Sequence, residues 1–355
     1  MPDPVAAVNG HRDTLPDAVV KVLQDVYPVG RWMTWRRTPK GSSNTSFFVT
    51  TETGDYVLRR SNERKTLASL ECEARLIEYL ISAGYPAPAL VRPSRGSHVQ
   101  VDGRYYLLTS LLPGSHYDPA NSAHLLASAR ALARYHQLVA GLPLPHYRAP
   151  TSMVTELGVG GLGALEEFGR LASTMVDNEA MSRLAPSLAV LAGHAVRVRR
   201  ALDQIVDDLP TVVVQGSFGR SALLFVGDEL SGVIDYDRAG LELRALDLAY
   251  TVKALCRAPG NRWIGLDEGL VGDFLRAYEE IEEVRTAELD ALPLVFQAQR
   301  LLKVIKKCQN VVAKHGIVAQ EAKDVEKVAA IVDREQARVS WLDHHASQLG
   351  AVASR

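Results

Sequence analysis

Apolar positions along the chain change their period near residue 112. Between Trp32 and Leu112, short runs rich in Phe, Val, Tyr and Thr are separated by Gly-containing turns: Ser46–Thr50, Tyr56–Arg60, Val99–Val101 and Tyr105–Leu108. β-branched and aromatic residues in short runs bounded by turn residues predict antiparallel strands. One segment breaks this pattern. Residues 67–83 place Leu70, Ala74, Ile77, Leu80 and Ile81 at spacings of three and four, which predicts one amphipathic helix, and Gly84 is its stop. Beyond Pro113 and Gly114 helical periods take over, at 123–140, 187–206, 267–281, 293–314 and 319–342, with a single strand-like island at 211–236. A strand-rich part with one helix, followed by a mostly helical part holding one small β region, predicts an α+β, two-lobe plan. The division falls between residues 1–112 and 113–355, and the segment 211–238 goes with the second lobe.

Composition narrows the function classes. The chain has 355 residues, 47% of them hydrophobic, with 40 Lys plus Arg against 41 Asp plus Glu. That supplies ample core for two lobes, while the balanced charge offers no basic footprint for nucleic acid. Cysteines stand only at 72, 256 and 308, a spacing that makes neither a disulfide framework nor a thiolate zinc site, so a reduced, cytoplasmic setting is expected. No apolar run approaches the ~18–20 residues of a membrane span. The start, with Pro2, Asp3 and Pro4, lacks the character of a secretion signal. Neither membrane nor nucleic acid is expected as a partner.

The chemistry concentrates in the island. Val212, Val213 and Val214 end a buried strand. Then come Gln215, Gly216, Ser217, Phe218, Gly219, Arg220, Ser221 and Ala222, the apolar Leu223, Leu224 and Phe225, a second strand over 230–234, and Asp235, Tyr236 and Asp237. Asp247, Leu248 and Ala249 follow. Strand, polar loop, strand, turn, strand and acid is the layout with which a phosphotransferase brings a base and metal ligands to one point. The stretch resembles the catalytic loop and metal-binding segment of the aminoglycoside phosphotransferase and choline kinase family, relatives of protein kinases. There the loop reads His, Gly, Asp, four residues, then Asn, with an acid after the next strand. Gly216, Phe218, Leu223, Leu224, Phe225, Gly232, Val233, Ile234, Asp235, Asp247, Leu248 and Ala249 fit that frame. The resemblance implies a two-lobe protein-kinase-like fold, with a small β-rich N-lobe and a large helical C-lobe. Three chemical positions depart from it: Gln215 stands where the family has His, Ser217 where it has the catalytic Asp, and Ala222 where it has the metal-binding Asn. Asp235 keeps the place of the second metal ligand.

The first third carries the same kinship. Gly41, Ser42, Ser43 and Asn44 resemble the loop over the phosphates, where small residues let backbone N–H groups approach an anion. Arg59, in Tyr56, Val57, Leu58, Arg59, resembles the basic residue that meets the phosphates, and Glu73 falls in the register of the acid that orients it. Leu111, Leu112, Pro113 and Gly114 resemble the hinge between lobes. His136 resembles a family histidine that packs and hydrogen-bonds. Plainer readings stand beside these: an ordinary hairpin turn at 41–44, a strand-end cation and a solvated helix face for Arg59 and Glu73, a turn acid for Asp235. For Asp247 the alternatives are a helix N-cap and a brace for the loop.

A Ser hydroxyl is no base near neutral pH, and loss of a general base alone costs about 10²–10⁴ in rate. An Ala side chain offers a metal nothing. The changes fall on the polar chemical positions and spare the apolar frame. The expectation is a phosphotransferase-like protein, impaired or silent in phosphoryl transfer, in which ATP with Mg²⁺ binds weakly or not at all. It would bind a nucleotide, small molecule or peptide, or assist a partner enzyme in a bacterial secondary-metabolite or modified-peptide pathway. Two alternatives stay open: an active ATP-dependent O-phosphotransferase acting on a hydroxyl, with Asp235 on the metal, or a non-kinase lyase or transferase on the same fold. Asp237 and Glu242 are candidates for a substitute base, and Arg220 is either a cation that would neutralise a phosphate or carboxylate or a plain surface residue. Lys303, Lys306, Lys307 and Lys314 form a helical basic stripe that would meet an acidic ligand or simply water.

Overall fold

The computed structural model describes residues 15–39, 44–63, 65–142, 156–175, 178–258, 265–315 and 322–345. Contacts divide the chain into two compact units, one comprising Met1–Tyr117, Pro143–Tyr147 and Ser221–Asp237, the other Asp118–Leu142, Arg148–Arg220 and Arg238–Arg355. The island is therefore shared: Ser221–Asp237 belongs with the first unit, whereas the sequence division places all of 211–238 in the second lobe. Among the described residues, no helix is long and apolar enough to cross a membrane.

In the first unit, α1 (Asp17–Val26) precedes a sheet of β1 (Trp32–Arg37), β2 (Thr45–Thr51), β3 (Gly54–Arg60), β4 (Leu90–Val91), β5 (Val99–Val101) and β6 (Arg104–Ser110). Strand order is β1-β2-β3-β6-β4, and β5 pairs with β6 beside β4, all antiparallel. The core runs through Val19, Leu23, Trp32, Phe47, Val49, Leu58, Tyr106 and Leu108. Phe47, Val49 and Thr51 alternate inward along β2, the period-two signature of a half-buried strand. Helix α2 (Leu67–Ser82) begins at Thr66, whose hydroxyl accepts from Ser69 N, and buries Leu70, Ala74, Ile77 and Leu80. Ile81, expected on that face, is exposed. Gly84 ends the helix at φ +72°. A second small sheet joins β7 (Ser115–His116) to the hairpin β9 (Leu223–Val226) and β10 (Glu229–Val233).

The second unit is helical: α3 (Ser122–Val139), α4 (Val159–Met175), α5 (Asn178–Asp203), α6 (Arg244–Leu255), α7 (Glu268–Glu279), α8 (Thr286–His315) and α9 (Ala322–His344). A two-stranded ribbon, β8 (Thr211–Val214) with β11 (Gly240–Leu243), feeds directly into α6. Helix α4 escapes a periodicity reading because Gly160, Gly161 and Gly163 depress its propensity. Packing explains one of them, since a Cβ on Gly161 would stand 2.4 Å from Glu156 O and 3.0 Å from Ile305 Cδ1. Helix α5 begins nine residues before the predicted Ser187 because it runs through Pro186, where sequence reading places a break. Asp247 is not an N-cap: it lies in the first turn of α6, whose N-cap is Leu243.

Arg244, at the start of α6, anchors this unit. Its Nε donates to Glu288 Oε1 at 2.9 Å and Nη1 to Glu282 Oε1 at 2.5 Å, while Nη2 reaches Glu283 O at 2.8 Å and Glu288 Oε2. Arg244 and Glu288 are both buried, so removing one partner strands the other's charge away from water. Glu288→Ala is expected to destabilise the protein by about 3–5 kcal/mol, read as a drop in the urea midpoint with an unchanged slope.

Candidate functional site

Strand β3 brings Arg59 beside Ser46 on one side and Leu107 on the other, and α2 brings Glu73 to meet it. The guanidinium and carboxylate pair bidentately, Nη1 to Oε1 at 2.5 Å and Nη2 to Oε2 at 2.7 Å, with side chains 14% and 4% exposed. Burial opposes the Arg59 charge, but Glu73, Asp237 and Asp235 together outweigh that and hold it above its ordinary value. Arg59 Nε is buried with no hydrogen-bond partner. His98, between the charges of Arg59 and Arg92, is pushed down to about 4, by burial first and then by those two cations, so it is neutral at pH 7.

The chain leaves β10 at Val233 and places Asp235 in the left-handed region, φ +71°, a conformation that costs a non-glycine residue energy. Asp237 is held by Asn44 Nδ2 at 2.8 Å, and its carbonyl accepts from Lys65 Nζ. Asn44 in turn accepts from Asn62 N at 3.1 Å. Asp237 stands beside Asp235 as a second carboxyl and, after burial, is the main cause that raises the Asp235 carboxyl. Such a pair also suits a divalent cation, because Mg²⁺ takes one or two protein carboxylates and completes its shell with water and phosphate oxygens. Ala222 contributes nothing to it: the residue is fully buried, and its carbonyl accepts from Ile234 N at 2.8 Å. Gly41, Ser42 and Ser43 lie outside the described residues. At the hinge-like stretch, Leu111 N donates to Asp55 O at 3.1 Å and Pro113 O accepts from Ser231 Oγ at 2.6 Å.

The second unit holds the loop after β8. Asp247 accepts from Gln215 N at 2.7 Å and Gly216 N at 3.0 Å, and faces His136 Nε2 at 3.2 Å. His136 Nδ1 meets Tyr278 Oη at 2.7 Å. Asp247 is thus the brace and His136 a buried packing residue. Gly216 takes φ +75°, and a Cβ there would stand 2.7 Å from Arg238 O. The Gln215 side chain turns back into the loop, where Oε1 accepts from Ser217 N at 2.7 Å. An amide in that role orders the loop and moves no proton. Ser217 is buried and carries no charge. The structure therefore brings Asn44, Arg59, Glu73 and Asp235 together in the first unit, with Gln215 and Ser217 in the second. Sequence reasoning missed Asn62 and Lys65; nothing local to them signals that the chain near residue 237 returns to their side.

A model of the phosphotransferase enzyme family matches residues 34–289. Homoserine kinase of Methylobacterium radiotolerans is 27% identical over 286 residues, which is 80% of this chain and 83% of that protein. Two solved structures share the fold. An amicoumacin kinase in complex with AMP-PNP, Ca²⁺ and its ligand superposes with a TM-score of 0.64 at 16% identity, covering 92% of this chain and 95% of its own. A microcompartment-associated aminopropanol kinase gives the same score and identity, covering 94% and 99%.

Asp235 is pushed up to about 6, by burial first and then by Asp237. A carboxyl whose folded-state value lies above its ordinary 3.8 stabilises the fold in its protonated form. That contribution is complete below about pH 4 and lost as pH rises through about 6. The residue is open to solvent on one side, so screening keeps the effect modest. Asp235→Asn is expected to raise the melting temperature at pH 8 and leave it unchanged at pH 4; an equal shift at both would place the effect elsewhere.

Proposed function

Because the chain belongs to the phosphotransferase enzyme family, we propose that it is a pseudokinase-like member, which binds a nucleotide through its first unit and is impaired in phosphoryl transfer. The observation that carries this reading is the contrast between the groups that are assembled and the chemical positions of the loop. The bidentate Arg59–Glu73 pair and the Asp235–Asp237 acids are assembled, while the loop offers Gln215, Ser217 and Ala222 where the resemblance calls for His, Asp and Asn. Arg59 would meet phosphate oxygens, and Asp235 with Asp237 would hold Mg²⁺, which when bound offsets phosphate charge. Without a carboxylate at 217 no loop residue accepts the proton of an attacking hydroxyl. The second ligand is a small molecule or peptide, and a partner enzyme is a further proposal of the same reading.

One observation favours a second reading, an active ATP-dependent O-phosphotransferase. Asp237, beside Asp235, replaces in number the metal ligand lost at 222, and positioning alone contributes about 7–11 kcal/mol in well-oriented systems. The relatives named homoserine kinase make homoserine the first acceptor to try.

Two measurements separate the readings. Calorimetric titration with AMP-PNP and Mg²⁺ is expected to show binding that weakens in Asp235→Ala; no binding by the wild type would remove the nucleotide reading. ATP-dependent phosphorylation of homoserine is expected to run at least about 10²-fold faster in Ser217→Asp/Ala222→Asn than in the wild type. Wild-type turnover of about 1–100 s⁻¹, the ordinary range for kinases, would establish the second reading instead.

A further inference from the structure

Asp237 is gripped from two sides by a segment that lies far from it in sequence. Asn44, the residue before β2, donates from Nδ2 to Asp237 Oδ2 at 2.8 Å, across 193 positions of chain. Lys65, just ahead of α2, donates from Nζ to the Asp237 backbone carbonyl. All three residues fall in the first unit. The Asn44 amide is itself fixed from behind, because its Oδ1 accepts from Asn62 N at 3.1 Å and from Asn62 Nδ2 at 3.4 Å. An amide whose oxygen is taken by two N–H groups presents its NH₂ to the carboxylate, so the partners settle its orientation.

The choice of donors is informative. Lys65 carries a cation placed to neutralise Asp237, yet it bonds the backbone instead, and among the described residues the Asp237 carboxylate makes no ion pair. Coulomb attraction to the ammonium would hold a purely structural carboxylate more strongly than an amide does. The Asp237 side chain is thus oriented by a neutral donor while its charge is left uncompensated by contact. Orientation without neutralisation suits a metal-ligating carboxylate: the outer donor fixes one oxygen, and the group keeps the charge that a cation takes. Asp235, the acid beside it, is exposed, so a cation can reach the pair from solvent.

We propose that Asn44, backed by Asn62, is a positioning residue for a divalent cation, setting the Asp237 carboxylate so that it serves in place of the metal ligand absent at 222. The proposal rests on the reading above in which Asp235 and Asp237 hold Mg²⁺, and it adds the residue outside the ligand set on which affinity depends. It holds whether or not phosphoryl transfer survives.

The test is titration of the full chain with Mn²⁺ in the absence of nucleotide, followed by loss of the electron paramagnetic resonance signal of the free ion. Wild-type protein is expected to bind Mn²⁺, and Asn44→Ala to bind it about 10–100-fold more weakly, with a melting temperature close to that of the wild type. Asn62→Ala keeps its backbone donor to Asn44 and loses only the longer bond, so it is expected to weaken binding less. Asp237→Asn still accepts from Asn44 but lacks the charge, and it tests the underlying reading: its cation binding is expected to be lost. Equal affinity of the wild type and Asn44→Ala, with Asp237→Asn impaired, would overturn the proposal and leave the cation reading standing. No Mn²⁺ binding by the wild type, or full binding by Asp237→Asn, would remove the cation reading and the proposal with it. Should Asn44→Ala fail to fold, Asn62→Ala decides, and unchanged affinity there overturns the proposal.

Discussion

A buried carboxylate holds the loop after β8 in shape. Asp247 receives the N–H groups of Gln215 and Gly216 on its two oxygens and is backed by His136 and Tyr278. Charge-assisted bonds of this kind are about twice as strong as neutral ones, and removing the carboxylate would leave two donors, one buried and one half-buried, orphaned. Loop shape therefore depends on Asp247 and Gly216, neither of which does proton chemistry. Ser217 and Ala222 can replace an acid and an amide without disturbing the backbone that presents them. Gln215 even adds to the order, because its side-chain carbonyl takes the Ser217 N–H. Chemistry and scaffold are separable at this loop.

The same separation decides how much weight each residue of the first unit can bear. Arg59 and Glu73 form a buried pair, and a buried pair resists loss of either partner whether or not a ligand ever meets it. Its presence alone says little about binding. Asp235 is different. It adopts a left-handed backbone conformation, faces a second acid and would be easier to fold as a neutral residue. A carboxylate that weakens the fold at neutral pH beside a second acid is what a cation site requires, and this makes Asp235 the residue on which the proposed nucleotide binding rests most heavily.

The sequence made the helix at 67–83 and the four first-unit strands legible because local periodicity and burial agree there. Failures came where tertiary packing overrode local preference: Gly161 of α4 fits against Glu156 and Ile305, and α5 accommodates Pro186. The island was harder. Its strands were visible, but Ser221–Asp237 groups with the first unit because β9 pairs with β7 across more than a hundred residues of sequence, a partner no local pattern announces. For the site, ordered spacing was enough to place Arg59, Glu73 and Asp235. Lys65 and Asn62 were invisible because their role depends on the distant return of the chain at Asp237.

Net charge was the least informative quantity in the sequence, and the structure shows why. A balance of 40 against 41 is an average over two opposite local arrangements. In the first unit acids, Glu73, Asp235 and Asp237, crowd around one buried guanidinium. In the second, cations from α8 and α9 crowd around one buried carboxylate, Glu335. In each arrangement like charges are held close around one group of the opposite sign. Coulomb energies at a few ångströms and an effective dielectric near 20 are several kcal/mol per pair. Local segregation of charge, far more than its total, therefore sets what this chain can hold.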